Sequence, residues 1–237
     1  MEARRQEHEY NVEHFGDHFY ILTNDNAQNF RLMRTSIDKP AQSNWEEVIA
    51  HREKVTLEDV ELFRDFLVLE ERENGLMKLR VMPWDEGEEY YLEFDDPTYT
   101  AWSSTNVEFE TDQLRYGYTS MTTPNSTFEI NMKTKERTLL KQQPVLGEFN
   151  IEDYTSERIY VTARDGKKVP MSLVRHKNTP TDGKAPLLLY AYGSYGATID
   201  PYFTSSRLSL LNRGFIFVIA HIRGGATLGR EWYEDGR

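Results

Sequence analysis

Phe128, Ile130 and Met132 alternate with Glu129 and Asn131, a period of two that marks a strand with one face buried and the other in water. This segment closes the last of three similar patterns, each a pair of short apolar runs around a polar turn: 19–24 with 29–35, 66–70 with 75–81, and 114–120 with 127–132. Leu32, Leu79 and Ile130 recur at intervals of about 50 residues, as do Ile21, Val68 and Tyr118. The turns at 23–27, 71–75 and 123–126 draw on Asn, Asp, Gly, Pro and Ser, which favour turn geometry. Further strands are expected near 47–51, 58–61, 90–93, 106–110 and 138–141. A four-stranded unit repeating at this spacing is the mark of a β-propeller blade. About three blades fit within residues 1–145, fewer than the roughly four to eight of a closed propeller, so the pattern predicts part of one. A meander of unrelated hairpins is the competing reading.

Beyond residue 150 the period changes. Segments 157–163 and 168–175 flank Asp165-Gly166, a strong hairpin signal. Pro170 lacks a backbone donor, so its strand is expected at a sheet edge. The run 186–192 is continuously apolar, which predicts a strand buried on both faces. A loop over 193–202 leads to a short helix over 204–213, with Thr204 or Ser205 as its cap and Gly214 closing it. A second two-sided strand, 214–220, ends in the glycine-rich turn 222–229. Hairpin, strand, helix and strand in that order open an α/β sheet with a crossover.

Of the 237 residues, 13% are aromatic, and so many rings need a packed interior, which excludes a disordered chain. The absence of cysteine removes disulfides, thiolate metal sites and thiol nucleophiles together. The apolar runs are too short to cross a bilayer and the first residues show no leader pattern, so a soluble, cytoplasmic protein is expected. The net charge of −11 is unevenly spread: residues 1–154 hold 16 basic against 32 acidic side chains, and 155–237 hold 12 against 7. This change of sign points to two units with different surfaces. The acidic unit disfavours nucleic acid and anionic membrane, which call for basic patches, and suits cationic peptides. A charge that only keeps the surface solvated is an equal reading.

Gly224, Gly225 and Gly229 follow the second apolar strand, but their spacing fits neither Gly-x-Gly-x-x-Gly nor a P-loop. Close passage of this turn by a neighbouring loop explains them better. The stretch 221–236, His-Ile-Arg-Gly-Gly-Ala-Thr-Leu-Gly-Arg-Glu-Trp-Tyr-Glu-Asp-Gly, together with 189–196 and 203–214, resembles the prolyl oligopeptidase family of serine peptidases. The Tyr-Gly-Ser-Tyr form at 192–195 is most similar to its oligopeptidase B branch. The resemblance covers the whole chain, most strongly from about residue 155. It implies a seven-bladed propeller over an α/β-hydrolase domain. The expected fold is therefore a partial β-propeller of about three C-terminal blades over 1–147, then the N-terminal part of an α/β-hydrolase domain over 148–237.

A serine hydrolase needs a nucleophile, a base, an orienting acid and an oxyanion hole. No Gly-x-Ser-x-Gly elbow occurs. Ser194 comes nearest, but Tyr192 stands where the first glycine belongs, and the segment follows an early strand, the place of the oxyanion loop. His221 precedes any elbow, out of order for a base, and His8, His14, His18, His51 and His176 have no matching partners. The family order thus places the Ser, Asp and His of the triad beyond Arg237. The chain alone is expected to be inactive and, with open sheet edges, poorly soluble or partly unfolded. The resemblance further implies that Tyr192 donates its phenolic hydrogen bond to the oxyanion; a buried strand-end aromatic is the alternative. Tyr195 matches an aromatic wall of the S1 pocket. Asp200 resembles an acidic residue that recognises basic substrates, while a nearby acidic position of that branch is Tyr202 here. Turn initiation by Asp-Pro explains Asp200 equally well. Arg223 is expected only to anchor its turn. The implied activity is cleavage of short cationic peptides after Arg or Lys through an acyl-enzyme, with no cofactor or metal. Proline-specific cleavage and a non-catalytic, peptide-binding propeller are the alternatives.

Overall fold

Strands that are apolar at alternate positions remove that surface from water only by stacking sheet on sheet. The computed structural model, which describes residues 4–237, does this with three four-stranded antiparallel meanders. The first contains β1 (Tyr10–Phe15), β2 (His18–Thr23), β3 (Arg31–Ser36) and β4 (Glu46–Ile49). The second contains β5 (Val55–Leu62), β6 (Phe66–Glu73), β7 (Leu76–Pro83) and β8 (Tyr90–Tyr91). The third contains β9 (Tyr99–Ser103), β10 (Gln113–Ser120), β11 (Ser126–Asn131) and β12 (Arg137–Gln142). The recurring positions are equivalent in space as well as in sequence. Ile21, Val68 and Tyr118 lie on the second strand of each sheet, Leu32, Leu79 and Ile130 on the third, and all six are buried.

The middle sheet shows why β6 reads as a continuous apolar run. Leu67 and Leu69 pack with Tyr20, Leu22 and Leu32 of the first sheet. Val68 points the other way and packs with Leu114, Tyr116 and Ile130 of the third. One strand thus feeds two cores by alternation. The turn after β6 is shorter than the sequence suggested: Glu71, Arg72 and Glu73 remain in the strand, and only Asn74 and Gly75, at φ of +51° and +76°, make the bend. The strand expected at 106–110 is not formed, and its place is taken by β9. Asn106 instead uses its side chain to accept from Arg115 N–H at 2.7 Å and to donate to the carbonyls of Ser104 and Arg115, satisfying the β10 backbone without a strand.

The fourth sheet contains β13 (Tyr154–Thr162), β14 (Lys168–His176), β15 (Leu187–Ala191) and β16 (Ile216–Ala220), in the order β13-β14-β16-β15. Helix α1 (Ser205–Leu211) makes the crossover between the parallel strands β15 and β16, and α2 (Arg230–Glu234) follows the glycine-rich turn. Gly214, at φ +81°, closes α1 as expected: its N–H reaches the Leu211 carbonyl and that of Phe215 the Leu210 carbonyl. Thr204 precedes α1, but its hydroxyl pairs with Ser206 Oγ rather than capping the backbone.

Two expectations for this sheet are corrected. Pro170 is not on an edge strand, because β14 pairs with β13 on one side and β16 on the other. It is tolerated because the β14–β16 ladder ends at Met171, so the missing donor faces the exit of β16, while its carbonyl accepts from His221 N–H at 3.0 Å. Strand β15 is not buried on both faces. Among the described residues it has β16 as its only neighbour, all five of its residues are exposed, and Leu189 reaches 55%.

The fourth sheet is fastened to the others at several points. Met121, after β10, packs with Tyr154, Val174, Leu211 and Ile219. Arg158 of β13 donates to the Asn74 carbonyl at the β6–β7 tip. Asn29 accepts from Arg230 N–H at 2.9 Å and donates to the Glu53 carbonyl at 2.8 Å, tying the start of α2 to the first two sheets. No helix among the described residues is long and apolar enough to cross a membrane.

Candidate active site

All three expected site residues lie on the loop that leaves β15 at Ala191, and backbone contact shapes that loop. A Cβ on Gly193 would stand 2.5 Å from the Arg223 carbonyl oxygen, and one on Gly224, at φ +85°, only 2.1 Å from that of Gly193. Gly196 donates its N–H to the Gly224 carbonyl at 2.9 Å. Two backbones touch here, which is why glycine is required on both. Arg223 reaches back to pair with Asp165 at the β13–β14 bend, anchoring the turn.

Tyr192 stands on the rim of this loop, 42% exposed, and its hydroxyl bonds to no described residue. Its exposure matches that of the β15 residues before it, 42% for Leu188 and 43% for Tyr190. A phenol in this position can donate to charge that develops on a bound carbonyl oxygen. Tyr195, 89% exposed at φ +60°, projects from the loop tip between Gly193 and Gly196.

Asp200 is already engaged. Arg72 of β6 donates to both its oxygens, at 2.6 and 3.1 Å, and pairs through its other edge with both oxygens of Glu58 on β5. Burial opposes charge on Arg72, whose side chain is 4% exposed, but Asp200 and Glu58 outweigh it and raise its pKa, so the guanidinium stays protonated. Two carboxylates against one guanidinium leave one negative charge beside the loop. An open cleft of about 300 Å³ adjoins this cluster, lined by Lys54, Arg72, Asn74, Lys168, Thr227 and Trp232 among others.

His221 is no base for this loop. Its Nε2 lies 2.8 Å from Ser172 Oγ, and Thr98, from the segment before β9, bonds to the same hydroxyl. Serine and histidine in contact resemble a nucleophile with its base, yet both are sealed from solvent. Burial, helped by the positive charge of Arg158, pushes the imidazole pKa down to about 4, so it is neutral at pH 7. This buried trio joins the third and fourth sheets.

Sequence reasoning missed Arg72 and Glu58, the partners of Asp200. The available signal was the charged stretch 70–73 continuing an apolar strand, since charges in such a place are rarely buried without partners.

Residues 2–143, more than half of the chain, match the pattern described as "Prolyl oligopeptidase, N-terminal beta-propeller domain". The chain belongs to the prolyl oligopeptidase family. Its residues 201–237 match the pattern "Prolyl oligopeptidase family" as well. This family member is 48% identical over its full length to dipeptidyl aminopeptidase BI of Pseudoxanthomonas mexicana and 39% identical to Protease 2 of Moraxella lacunata, covering 33% and 34% of those proteins. Oligopeptidase B from Leishmania major superposes with a TM-score of 0.91 at 35% identity, over 99% of this chain and 34% of that one. Oligopeptidase B from Trypanosoma brucei, with antipain covalently bound, gives 0.90 at 35%, over 100% and 34%. The chain thus spans about a third of the length of these relatives. Its first three sheets lie within the propeller match, its last 37 residues within the family match at 201–237, and the oligopeptidase B resemblance read at 192–195 agrees with these neighbours.

Proposed function

We propose that the chain contributes to a serine peptidase that cleaves short cationic peptides after Arg or Lys. In this reading residues 1–147 supply three late blades of the propeller and 148–237 the opening strands of the α/β-hydrolase domain. The exposed leucines of β15 support the second assignment, since strands of such a sheet are normally covered on both faces. A serine hydroxyl attacks the peptide carbonyl, a histidine takes its proton and passes it to the leaving amine, and water then hydrolyses the ester. Tyr192 and a backbone N–H hold the oxyanion while the tetrahedral carbon forms. The nucleophile, acid and base are not among these 237 residues, so the chain alone has no turnover.

The free, rim-placed hydroxyl of Tyr192 carries this reading. Tyr195 forms a wall for the side chain of the residue being cleaved. Asp200 attracts the substrate cation as part of a cluster with Glu58 and Arg72 that is net negative, rather than as a lone carboxylate. In the full-length protein that contains these residues, Tyr192→Phe is expected to lower kcat about 100- to 1000-fold with little change in KM. Arg-linked reporter peptides should be cleaved in preference to Pro-linked ones. Unchanged turnover in the variant, or a preference for proline, overturns the assignment.

A further inference from the structure

The third sheet, with Phe94 from the segment before β9, carries an aromatic box that the peptidase reading does not use. Phe94 stacks on Tyr118 with ring centroids 5.0 Å apart, and Tyr116 on Phe128 at 5.4 Å. The two pairs meet edge to face, at 6.1 Å between Phe94 and Tyr116 and 6.4 Å between Tyr118 and Phe128. These four rings line a cavity of about 200 Å³ with Asp95 and Asp96 at its lip. The Tyr116 hydroxyl in the wall is fully buried and has no hydrogen-bond partner.

Charge at the box is unbalanced in a way that points to a cation. Asp96 accepts from Tyr118 at 2.6 Å, Thr123 at 3.0 Å and Thr122 at 3.2 Å, three neutral hydroxyls that fix the carboxylate without cancelling its charge. Neither Asp95 nor Asp96 forms an ion pair among the described residues. A guanidinium from the chain itself already uses the rings. Arg137, exposed at the start of β12, lies 5.6, 5.8 and 5.9 Å from the centroids of Phe94, Tyr116 and Phe128, and is held otherwise by one bond to the Glu93 carbonyl. Aromatic faces attract cations through their quadrupole, most strongly where water is thin.

We propose that this box binds the guanidinium of an arginine side chain from a peptide, with Arg137 as the resident group that the ligand displaces. The site shares no residue with the Tyr192 loop, and binding here does not depend on which peptide bond the enzyme cleaves. The test is a titration of the full-length protein that contains these residues with Nα-acetyl-arginine amide, read by NMR on the Tyr116 and Tyr118 ring signals, with Nα-acetyl-citrulline amide as the neutral isostere. Saturable shifts are expected with the arginine compound and none with citrulline. Arg137→Ala, which removes the competing cation, should tighten binding about threefold. Asp95→Asn, at an exposed side chain on which no fold contact rests, should weaken it about threefold. Asp200→Asn should leave it unchanged. Absence of saturation in Arg137→Ala, equal shifts with citrulline, or loss of binding in Asp200→Asn would each overturn the proposal, the last by moving the cation to the loop.

Discussion

Replacing Arg72 by methionine keeps most of the side-chain volume and removes the cation that Glu58 and Asp200 share. Taking one partner from a fully buried ion pair costs about 3–5 kcal/mol, because the remaining charge is stranded. Here the stranded carboxylates are 33% and 26% exposed, so water relieves part of that cost and about 2–3 kcal/mol is expected. Asp200→Asn alone should cost less, about 1 kcal/mol, since Arg72 keeps Glu58. In the double variant no like-charge repulsion remains, so its cost should fall below the sum of the singles by about 1–2 kcal/mol. Urea denaturation of the four proteins at pH 7.5 measures this coupling, and hydrogen exchange of the 193–202 amides shows whether the loop loosens in Arg72→Met. Because Arg72 is 4% exposed, most of the coupling should survive 0.5 M salt, conditions that screen surface pairs. Strict additivity, or a cost for Arg72→Met below about 0.5 kcal/mol, would show that the clasp does not hold the two units together.

The limits of the sequence follow from the range of the interactions concerned. Strand alternation, hairpins and the closing of α1 at Gly214 were legible because they depend on residues a few positions apart, and the repeat was legible because one such local pattern recurs three times. The glycine turn was legible in kind, as backbone passing close to another loop, and the structure supplies the partner, Gly193. Leu187–Ala191 misled because an apolar run reports how much burial a strand can use, while the layer that delivers it is a tertiary property; among the described residues β15 has one neighbour and no cover. Pro170 misled because the edge rule concerns unpaired donors, and a ladder that ends beside an interior strand leaves one just as an edge does. Asp200 could not be resolved from sequence at all. Its partner lies 128 positions away, in a stretch that reads as turn until Asn74 and Gly75 are seen to complete the bend alone.

Gly224→Ala places a methyl 2.1 Å from the Gly193 carbonyl oxygen at a left-handed φ, and should destabilise the chain by at least 2 kcal/mol while shifting the amide resonances of 193–197. A neutral effect on both would mean that the two backbones do not touch. Glu70 is pushed up to about 7 by burial, against the stabilising N–H of Ser103, so when folded it keeps its proton up to about pH 7 but ionises near 4.5 when unfolded. Its contribution is present below pH 4.5 and lost as pH rises through 7, and Glu70→Gln should therefore stabilise the chain at pH 8 by up to about 3 kcal/mol and hardly at all at pH 4.5. His221 titrates in the opposite sense over the same range. The unfolded imidazole takes a proton below about 6.5, whereas the folded one refuses it until about 4, so stability present above pH 6.5 is lost as pH falls toward 4, by up to about 3 kcal/mol. The two slopes partly cancel in the native chain, which makes Glu70→Gln the right background for measuring the second. Urea midpoints in that background should fall steeply from pH 6.5 to 4, and His221→Gln should flatten the fall. A profile that stays equally steep without the imidazole would mean that protonation elsewhere, not at the Thr98–Ser172–His221 contact, opens the structure in acid.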